Sequence, residues 1–263
     1  MIYQQPRYMA AGDQFLVMEI GTDMSLFSNC TVIELDRLLK EASVKGVLNT
    51  VSTWRSLMIQ YDNAQIAFAD LQKEMEKLWL SLGELSRIPS RIIEIPIQYG
   101  GKRGPDFART AEYNQVSEKE AIEIHSGELQ WVGVVGFVPG HPFIKPLRQD
   151  KKLHGQIYSS PRTYTPEGTV GLGGVTTTVY TVPTSGGYQM IAYIPVPLYD
   201  PFQLQPDFQK TALLLLPGDR IRFRPIDGEE FDAITQQVRE RKYKFSIQEG
   251  VFDIASYVKG GKA

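Results

Sequence analysis

The sequence predicts an α+β fold, with a small N-terminal α/β subdomain followed by a β-barrel and a short α/β C-terminal extension. In the first third of the 263 residues, strand-like apolar runs alternate with apolar residues at helical spacing. After Gly100 and Gly101, short apolar runs separated by glycine and proline turns take over, as in closed barrels. The predicted boundaries are 1–90 for the α/β subdomain, 91–230 for the barrel and 231–263 for the extension.

The N-terminal subdomain is predicted to alternate strands and helices. Strands are expected over residues 15–20, 56–61 and 91–97. A capping box at Thr31 and Glu34 predicts the start of the first helix, and Gly46 its end. A second helix is expected over 64–82, where apolar residues recur at spacings of three and four. This order is typical of a small α/β layer.

The barrel region carries one predicted helix, which begins after Ser117 and ends near His125. Strands are expected over residues 129–138, 177–182, 188–194 and 220–226. In the last of these, Ile221 and Phe223 alternate with arginines, so one face is apolar and the other cationic. The extension is expected to form a helix around Ile234 and then a strand over 243–247.

Composition excludes several classes of protein. The net charge of −2 shows no basic excess, so we expect no nucleic-acid partner. No apolar run is long enough for a bilayer, so we expect no membrane partner. Cys30 is the single cysteine, and together with the histidines it shows no metal-ligand spacing. A chain without an internal disulfide fits a reducing compartment, and we expect a cytoplasmic protein.

Two loops could bind an anion. Residues 168–174 are rich in glycine but lack the lysine and hydroxyl residue of a P-loop. Their amides could cradle an anion, or the segment could be a tight barrel turn. Lys102 and Arg103 could bind a carboxylate or phosphate, or could simply be solvated.

Two histidines are candidates for proton transfer. His125 lies where a helix should end, and there the helix dipole favours a cation, so its role could be structural or catalytic. His141 lies between glycine and proline in a loop that these residues should fix. An exposed, fixed imidazole could act in binding or in proton transfer.

Ordered motifs across the chain resemble one family. The resemblance rests on residues 11–13, 53–62, 99–106, 136–143, 161–162, 166–174, 185–191 and 217–223. Residues 99–106, for example, resemble the family motif YGGExGPD, and residues 217–223 resemble PGDRVRF. By this order the chain is identified as a member of the carboxyltransferase subdomain C and D family, also known as allophanate hydrolase subunit 1.

The resemblance implies a cyclophilin-like barrel and a chain that is one subunit of an enzyme complex, inactive alone. Its partner would be a sister subunit carrying subdomains A and B. The leading hypothesis is carboxyl transfer from carboxybiotin, on a partner protein served by a biotin carboxylase, to an amide or urea-like nitrogen. No covalently bound cofactor and no metal are expected. The residues of the tail resemble the extension of the urea carboxylase branch.

Two alternatives stay open within the same family. The first is the B component of a 5-oxoprolinase, which opens a lactam with ATP beside a lactam-hydrolase-like subunit. The second is a non-catalytic inhibitor of a histidine kinase.

The resemblance also implies site residues. Arg162 would stabilise a developing oxyanion in a cleft shared with Gln189, with His141 at its rim, and His125 or His141 would handle the proton. The structural alternative pairs Arg162 with Glu167. The further residues expected to bind substrate or an anion are Gly171, Gly173, Gly174, Thr176, Thr177, Gly187, Tyr188, Lys102 and Arg103.

The chain departs from the family pattern where ligand loops should be. The glutamate after YGG is Lys102, and the second phenylalanine of GFLPGFPY is His141. The motif GxQTGIYP corresponds to residues 174–181, where its glutamine and second glycine are threonines. The arginine of LIGRTP is Tyr193. These changes predict either a different substrate or a degenerate subunit.

Overall fold

The computed structural model describes residues 1–83, 85–147 and 151–260. The helices are α1 (Leu26–Ala42), α2 (Phe68–Ser81), α3 (Phe107–Tyr113), α4 (Glu118–Ser126), α5 (Gly228–Arg239) and α6 (Ile254–Gly260). The first strands are β1 (Ile2–Ala10), β2 (Phe15–Gly21), β3 (Val47–Ser52), β4 (Ser56–Tyr61), β5 (Arg87–Pro89), β6 (Ile92–Tyr99), β7 (Gln130–Val135) and β8 (Pro142–Pro146). The others are β9 (Arg162–Thr165), β10 (Thr169–Gly173), β11 (Thr176–Val179), β12 (Thr184–Gly186), β13 (Gln189–Tyr193), β14 (Arg220–Pro225), β15 (Ile247–Gln248) and β16 (Val251–Asp253).

The chain forms two compact units. The N-terminal unit consists of Met1–Pro89 and the chain from Val251 onward, and the barrel unit is Ser90–Gly250. The stretch expected to be a separate extension is therefore divided between them, with residues 231–250 in the barrel unit. In the N-terminal unit, β5 and β16 pair antiparallel.

The N-terminal unit is built on a four-stranded antiparallel sheet in the order β1-β2-β4-β3. Alternate residues of β2 and β4, such as Leu16 and Leu57, are fully buried. They pack with Leu35 of α1 and with Leu71 of α2 in one apolar core. The sequence patterns predicted β2, β4 and both helices, but not β1 or β3.

The predicted capping box at Thr31 is wrong. Ser25 is the N-cap of α1, and its hydroxyl accepts a hydrogen bond from Ser28 N at 3.1 Å. Thr31 lies inside the helix, where its hydroxyl donates to Phe27 O at 2.8 Å. A threonine can make this bond to the preceding turn, so it does not have to end a helix. The helix stops at Ser43, whose φ is 48°, before Gly46 is reached.

The barrel unit confirms the predicted barrel. Seven strands follow one another in the order β13-β10-β11-β8-β7-β14-β6, and β6 pairs again with β13 to close the ring. β15 pairs antiparallel with residues 92–93 at the start of β6, whereas β13 pairs with residues 98–99 at its end. Ile221 and Phe223 of β14 are buried, as their alternation with arginines predicted. The fold is therefore a mixed α+β structure with a closed barrel.

Helices and the tail cover the barrel. Ser117 caps α4 by accepting from Glu120 N at 3.1 Å, as predicted. Ile234 of α5 is buried in the barrel core, and Phe245 packs against the same core. The strand expected over 243–247 is reduced to β15. In the described ranges, no helix combines the length and apolar character that crossing a bilayer requires.

Candidate functional site

A segment between β8 and β9, residues 154–162, forms a strap over the barrel. Gly155 and Gly174 exchange two backbone hydrogen bonds, each of 2.8 Å. A Cβ atom on Gly155 would lie 2.1 Å from Leu172 O, so only glycine allows the strap to approach β10 this closely. The strap therefore has a fixed position on the strand that carries the glycine-rich motif.

Asp106 ties the strap to β13. Its Oδ1 accepts a hydrogen bond from the Tyr158 hydroxyl at 2.7 Å, and its Oδ2 accepts one from Met190 N at 2.7 Å. Arg162 at the end of the strap has one terminal nitrogen 3.7 Å from Oδ2. One carboxylate thus organises three parts of the site.

The guanidinium of Arg162 keeps unused donors. One terminal nitrogen donates to Tyr188 O at 2.6 Å. The other lies 3.7 Å from Asp106, beyond hydrogen-bond distance. Its Nε is buried and has no partner among the described residues. The expected alternative, a pair with Glu167, is not formed there, because the carboxylate beside Arg162 is that of Asp106.

Gln189 lies next to this arginine in the network. Its Nε2 donates to Gln156 O of the strap at 2.7 Å, and the side chain is buried. Since Arg162 binds the carbonyl of the preceding residue, Tyr188, the structure brings the two predicted residues together. Their common cleft stays a prediction.

The glycine-rich segment does not form the predicted anion cradle. Residues 169–173 are strand β10, paired on one side with β11 and on the other with β13. The amide of Gly174 is used by Gly155. The glycines instead make room for aromatic rings. A Cβ on Gly173 would lie 2.4 Å from Tyr188 Cδ1, and one on Gly171 would lie 3.0 Å from Tyr180 Cε2.

His125 is a buried core histidine. Its Nδ1 is 2.7 Å from the Tyr99 hydroxyl and its Nε2 is 2.9 Å from Thr177 Oγ1. The ring stacks on Phe223 with centroids 5.0 Å apart. Burial lowers the pKa of His125 to about 4, so the imidazole is neutral and the cation expected at the helix end is not formed.

His141 is buried, not exposed as predicted. The loop turns back at Val138, whose carbonyl accepts a hydrogen bond from His141 N at 3.2 Å. The side chain is 2% exposed, and its Nε2 lies 2.5 Å from Thr178 Oγ1. Burial lowers the pKa of His141 to about 4 as well.

Lys102 and Arg103, the two cations predicted to bind an anion, differ in their surroundings. Arg103 donates to Asp232 at 2.8 Å and to Gln98, and its guanidinium lies 3.5 Å from the ring centroid of Phe231. This arginine is therefore occupied by structural contacts, and the predicted anion site at Arg103 is not formed. Lys102 is exposed.

Two further predicted residues lie near the strap. Thr176 is opposite Gly173 in the β10–β11 pair. Gly187 accepts a hydrogen bond from Tyr158 N at 2.8 Å through its carbonyl. Neither residue makes a contact within the described ranges that assigns it a catalytic or binding role.

Sequence reasoning missed Asp106, Tyr158, Thr178 and Tyr180. Asp106 closes the quoted motif of residues 99–106, so its position there was a usable signal. Thr178 and Tyr180 lie in residues 174–181, the stretch that corresponds to GxQTGIYP, so their place in this motif was also a usable signal, whereas Tyr158 carried none. The described ranges contain no cluster of three or more acidic, histidine or cysteine side chains that could hold a metal ion.

A family model named carboxyltransferase domain, subdomain C and D, matches residues 6–209. The chain belongs to this family. Among curated members, the B component of 5-oxoprolinase from Bacillus subtilis is 29% identical over 86% of this chain and 95% of that protein. Its counterpart from Escherichia coli O157:H7 is 32% identical over 84% of this chain and 97% of that protein.

Larger proteins contain a region that is similar to this chain. Urea amidolyase of Lachancea kluyveri is 27% identical over 96% of this chain, but the match spans only 15% of that protein. The crystal structure of Kluyveromyces lactis urea carboxylase superposes with a TM-score of 0.83 at 21% identity, over 99% of this chain and 26% of that one. This structural likeness confirms the mixed α+β fold of the present chain, with its closed barrel.

Proposed function

We propose that the chain is one subunit of a heterocomplex that transfers a carboxyl group to an amide or urea-like nitrogen. The partner would be a sister subunit carrying subdomains A and B. The names of its relatives, 5-oxoprolinase and urea amidolyase, both refer to small molecules in which nitrogen is bound to a carbonyl carbon. The likeness to these relatives supports the subunit role and the class of substrate.

The observation that carries the proposal is the under-used guanidinium of Arg162. Its Nε is buried without a partner among the described residues, and one terminal nitrogen is 3.7 Å from Asp106. Free N–H donors at a fixed position suit an oxygen that gains negative charge during the reaction. A planar guanidinium can also grip such an oxygen pair with parallel hydrogen bonds.

Carboxybiotin on a partner protein would supply the carboxyl group, and a biotin carboxylase would load it. On this chain, Arg162 would hold a carboxylate or carbonyl oxygen. Of the two candidate histidines, His125 has both ring nitrogens in contact with hydroxyls. His141 is therefore the histidine left to accept a proton.

ATP-dependent lactam opening, as expected for the B component of a 5-oxoprolinase, is the second candidate. It is favoured by matches that span 95% and 97% of the curated 5-oxoprolinase chains. Carboxyl transfer is favoured by the urea amidolyase match, which reaches 96% of this chain against 84% to 86%. A phosphate site at residues 171–174 gains no support, because β10 is paired on both sides.

The test is reconstitution with a sister subunit carrying subdomains A and B, a biotin carboxylase with its biotinylated carrier protein, and a lactam-hydrolase-like subunit. The complex and the isolated chain are assayed for biotin-dependent carboxylation of urea and for ATP-dependent hydrolysis of 5-oxoproline. We expect that the complex carboxylates urea and that the isolated chain does not. Hydrolysis without carboxylation would replace the proposal by the second candidate, and turnover by the isolated chain would overturn the subunit role.

A further inference from the structure

Three departures from the family pattern are hydrogen-bonded to one loop. His141 replaces a phenylalanine, and its Nε2 lies 2.5 Å from Oγ1 of Thr178, which replaces a glycine. Thr181 occupies the final proline of the same motif, and its hydroxyl donates to Pro139 O at 2.6 Å. The side chains of His141, Thr178 and Thr181 thus join the loop of residues 136–141 to β11 and to the turn after it.

Hydrogen-bond accounting fixes the tautomer of His141. The Thr178 hydroxyl lies 2.7 Å from Pro142 O, which can only accept, so its single hydrogen is donated there. The contact with His141 therefore requires that Nε2 carries the imidazole proton. Nδ1 is then the ring nitrogen with a free lone pair.

That lone pair has no partner among the described residues, although Nδ1 is buried. Buried polar atoms are nearly always hydrogen-bonded, and leaving one unpaired is energetically costly. The imidazole is also neutral at physiological pH, since burial lowers the pKa of His141 to about 4. Any group that pairs with Nδ1 must therefore be a hydrogen-bond donor.

Aromatic rings surround the imidazole. The centroids of Phe137, Phe143 and Tyr180 lie 5.5, 5.1 and 5.2 Å from that of His141. Phe137 is 69% exposed and has a φ of 72°, which is strained for a residue with a side chain. Phe137 is therefore the exposed member of this aromatic surround, and a ligand from solvent would meet its ring first.

Tyr180 connects this histidine to the arginine site. Its ring meets His141 edge-on, and its hydroxyl lies 2.4 Å from where a Cβ of Gly186 would be. Gly186 is the β12 partner of Arg162 in β9. Tyr180 therefore lies between the two groups. Its ring contacts the imidazole of His141, and its hydroxyl lies beside the β9–β12 strand pair that carries the guanidinium of Arg162.

We propose that His141, held by Thr178, is a specificity element at a position where this chain departs from the family motif, and that its Nδ1 accepts a hydrogen bond from a ligand N–H group. The ligand class rests on the proposed function: amides and ureas carry both an N–H donor and a carbonyl acceptor. A family member with phenylalanine at this position offers no such acceptor. This chain therefore selects for a substrate with a free N–H.

The test uses two lactams that differ in one group, 2-pyrrolidinone and N-methyl-2-pyrrolidinone, which lacks the N–H. The full chain, labelled with ¹⁵N at its histidines, is titrated with each while the ring nitrogens are observed by NMR. His125 is an internal control, because both its nitrogens already contact hydroxyls. The exposed His154 reports on nonspecific effects.

We expect that Nδ1 of His141 is unprotonated. Its ¹⁵N resonance should shift saturably with 2-pyrrolidinone and should not shift with N-methyl-2-pyrrolidinone. Measured by isothermal titration calorimetry, His141→Phe, which restores the family residue, should abolish saturable binding, while Thr178→Ser should preserve it. A protonated Nδ1 would overturn the proposal, as would equal responses to both lactams or no response to either. The titration reads binding and not turnover, so failure of the proposed function would show separately, in the reconstituted complex.

Discussion

The ring of Tyr188 occupies the space beside Gly173 where a side chain would otherwise lie. A Cβ atom there would be 2.4 Å from Tyr188 Cδ1. The glycines of β10 thus serve the packing of the barrel, and the geometry yields a direct stability test.

Gly173→Ala should lower the free energy of unfolding by about 1–3 kcal/mol, because the added methyl group overpacks the site. Urea denaturation measures the change. Gly187→Ala is the matched control, since its Cβ would meet its nearest neighbour at 3.5 Å, an ordinary contact. Equal effects of the two substitutions would contradict the packing role of Gly173.

Arg162→Ala should reduce kcat of the reconstituted complex about a hundredfold with little change in KM, as when one oxyanion donor is removed. Steady-state kinetics on the complex test this. Arg109→Ala removes a nearby exposed arginine and should leave kcat unchanged. A variant at Arg162 that loses stability yet keeps full turnover would assign the arginine to holding Tyr188 and Asp106.

His125 should make stability depend on pH. Its pKa is about 4 in the folded chain, below the value near 6.5 of an unfolded histidine. As pH falls between these values the unfolded chain gains a proton that the folded chain does not. The contribution of His125 to stability is therefore full above pH ~6.5 and falls by roughly 3 kcal/mol by pH ~4.

The variant His125→Gln should show a flatter dependence of the unfolding free energy on pH over this window. His154→Gln, at an exposed position, should keep the wild-type slope. If the two variants have the same slope, the buried imidazole does not titrate as its surroundings indicate.

Ile234→Ala should lower the free energy of unfolding by about 2–4 kcal/mol, because the residue is 5% exposed in the barrel core. Gln237→Ala, on the exposed face of the same helix, should change it by less than about 0.5 kcal/mol. Thermal or chemical unfolding of both variants decides whether α5 belongs to the barrel.

Periodicity in the sequence predicted the elements whose apolar faces are buried. Phe223 and Ile234 were recognisable because strand and helix spacing repeats over several residues. β1 was missed because its exposed residues do not alternate clearly. The start of α1 was misplaced because Ser25 and Thr31 offer competing caps, and only packing decides between them.

The site was harder to predict, because it depends on contacts between distant segments. Arg162 and Gln189 were found through the family motifs. The burial of His141 was not, since a loop of glycine and proline gives no sign of the rings that cover it. Thr178 gains its meaning only from its 2.5 Å contact with that histidine.

The barrel unit begins and ends at the same place. Ser90 N donates to Gly250 O at 2.9 Å, so the two ends of this unit are hydrogen-bonded neighbours. In the sequence, the barrel unit is thus an insertion between the two segments of the N-terminal unit, and its first and last residues are neighbours in space. Residues 90–250 could be exchanged between family members as one block, carrying the histidine and arginine of the site with them. Such chimaeras would show whether ligand preference is a property of the barrel unit.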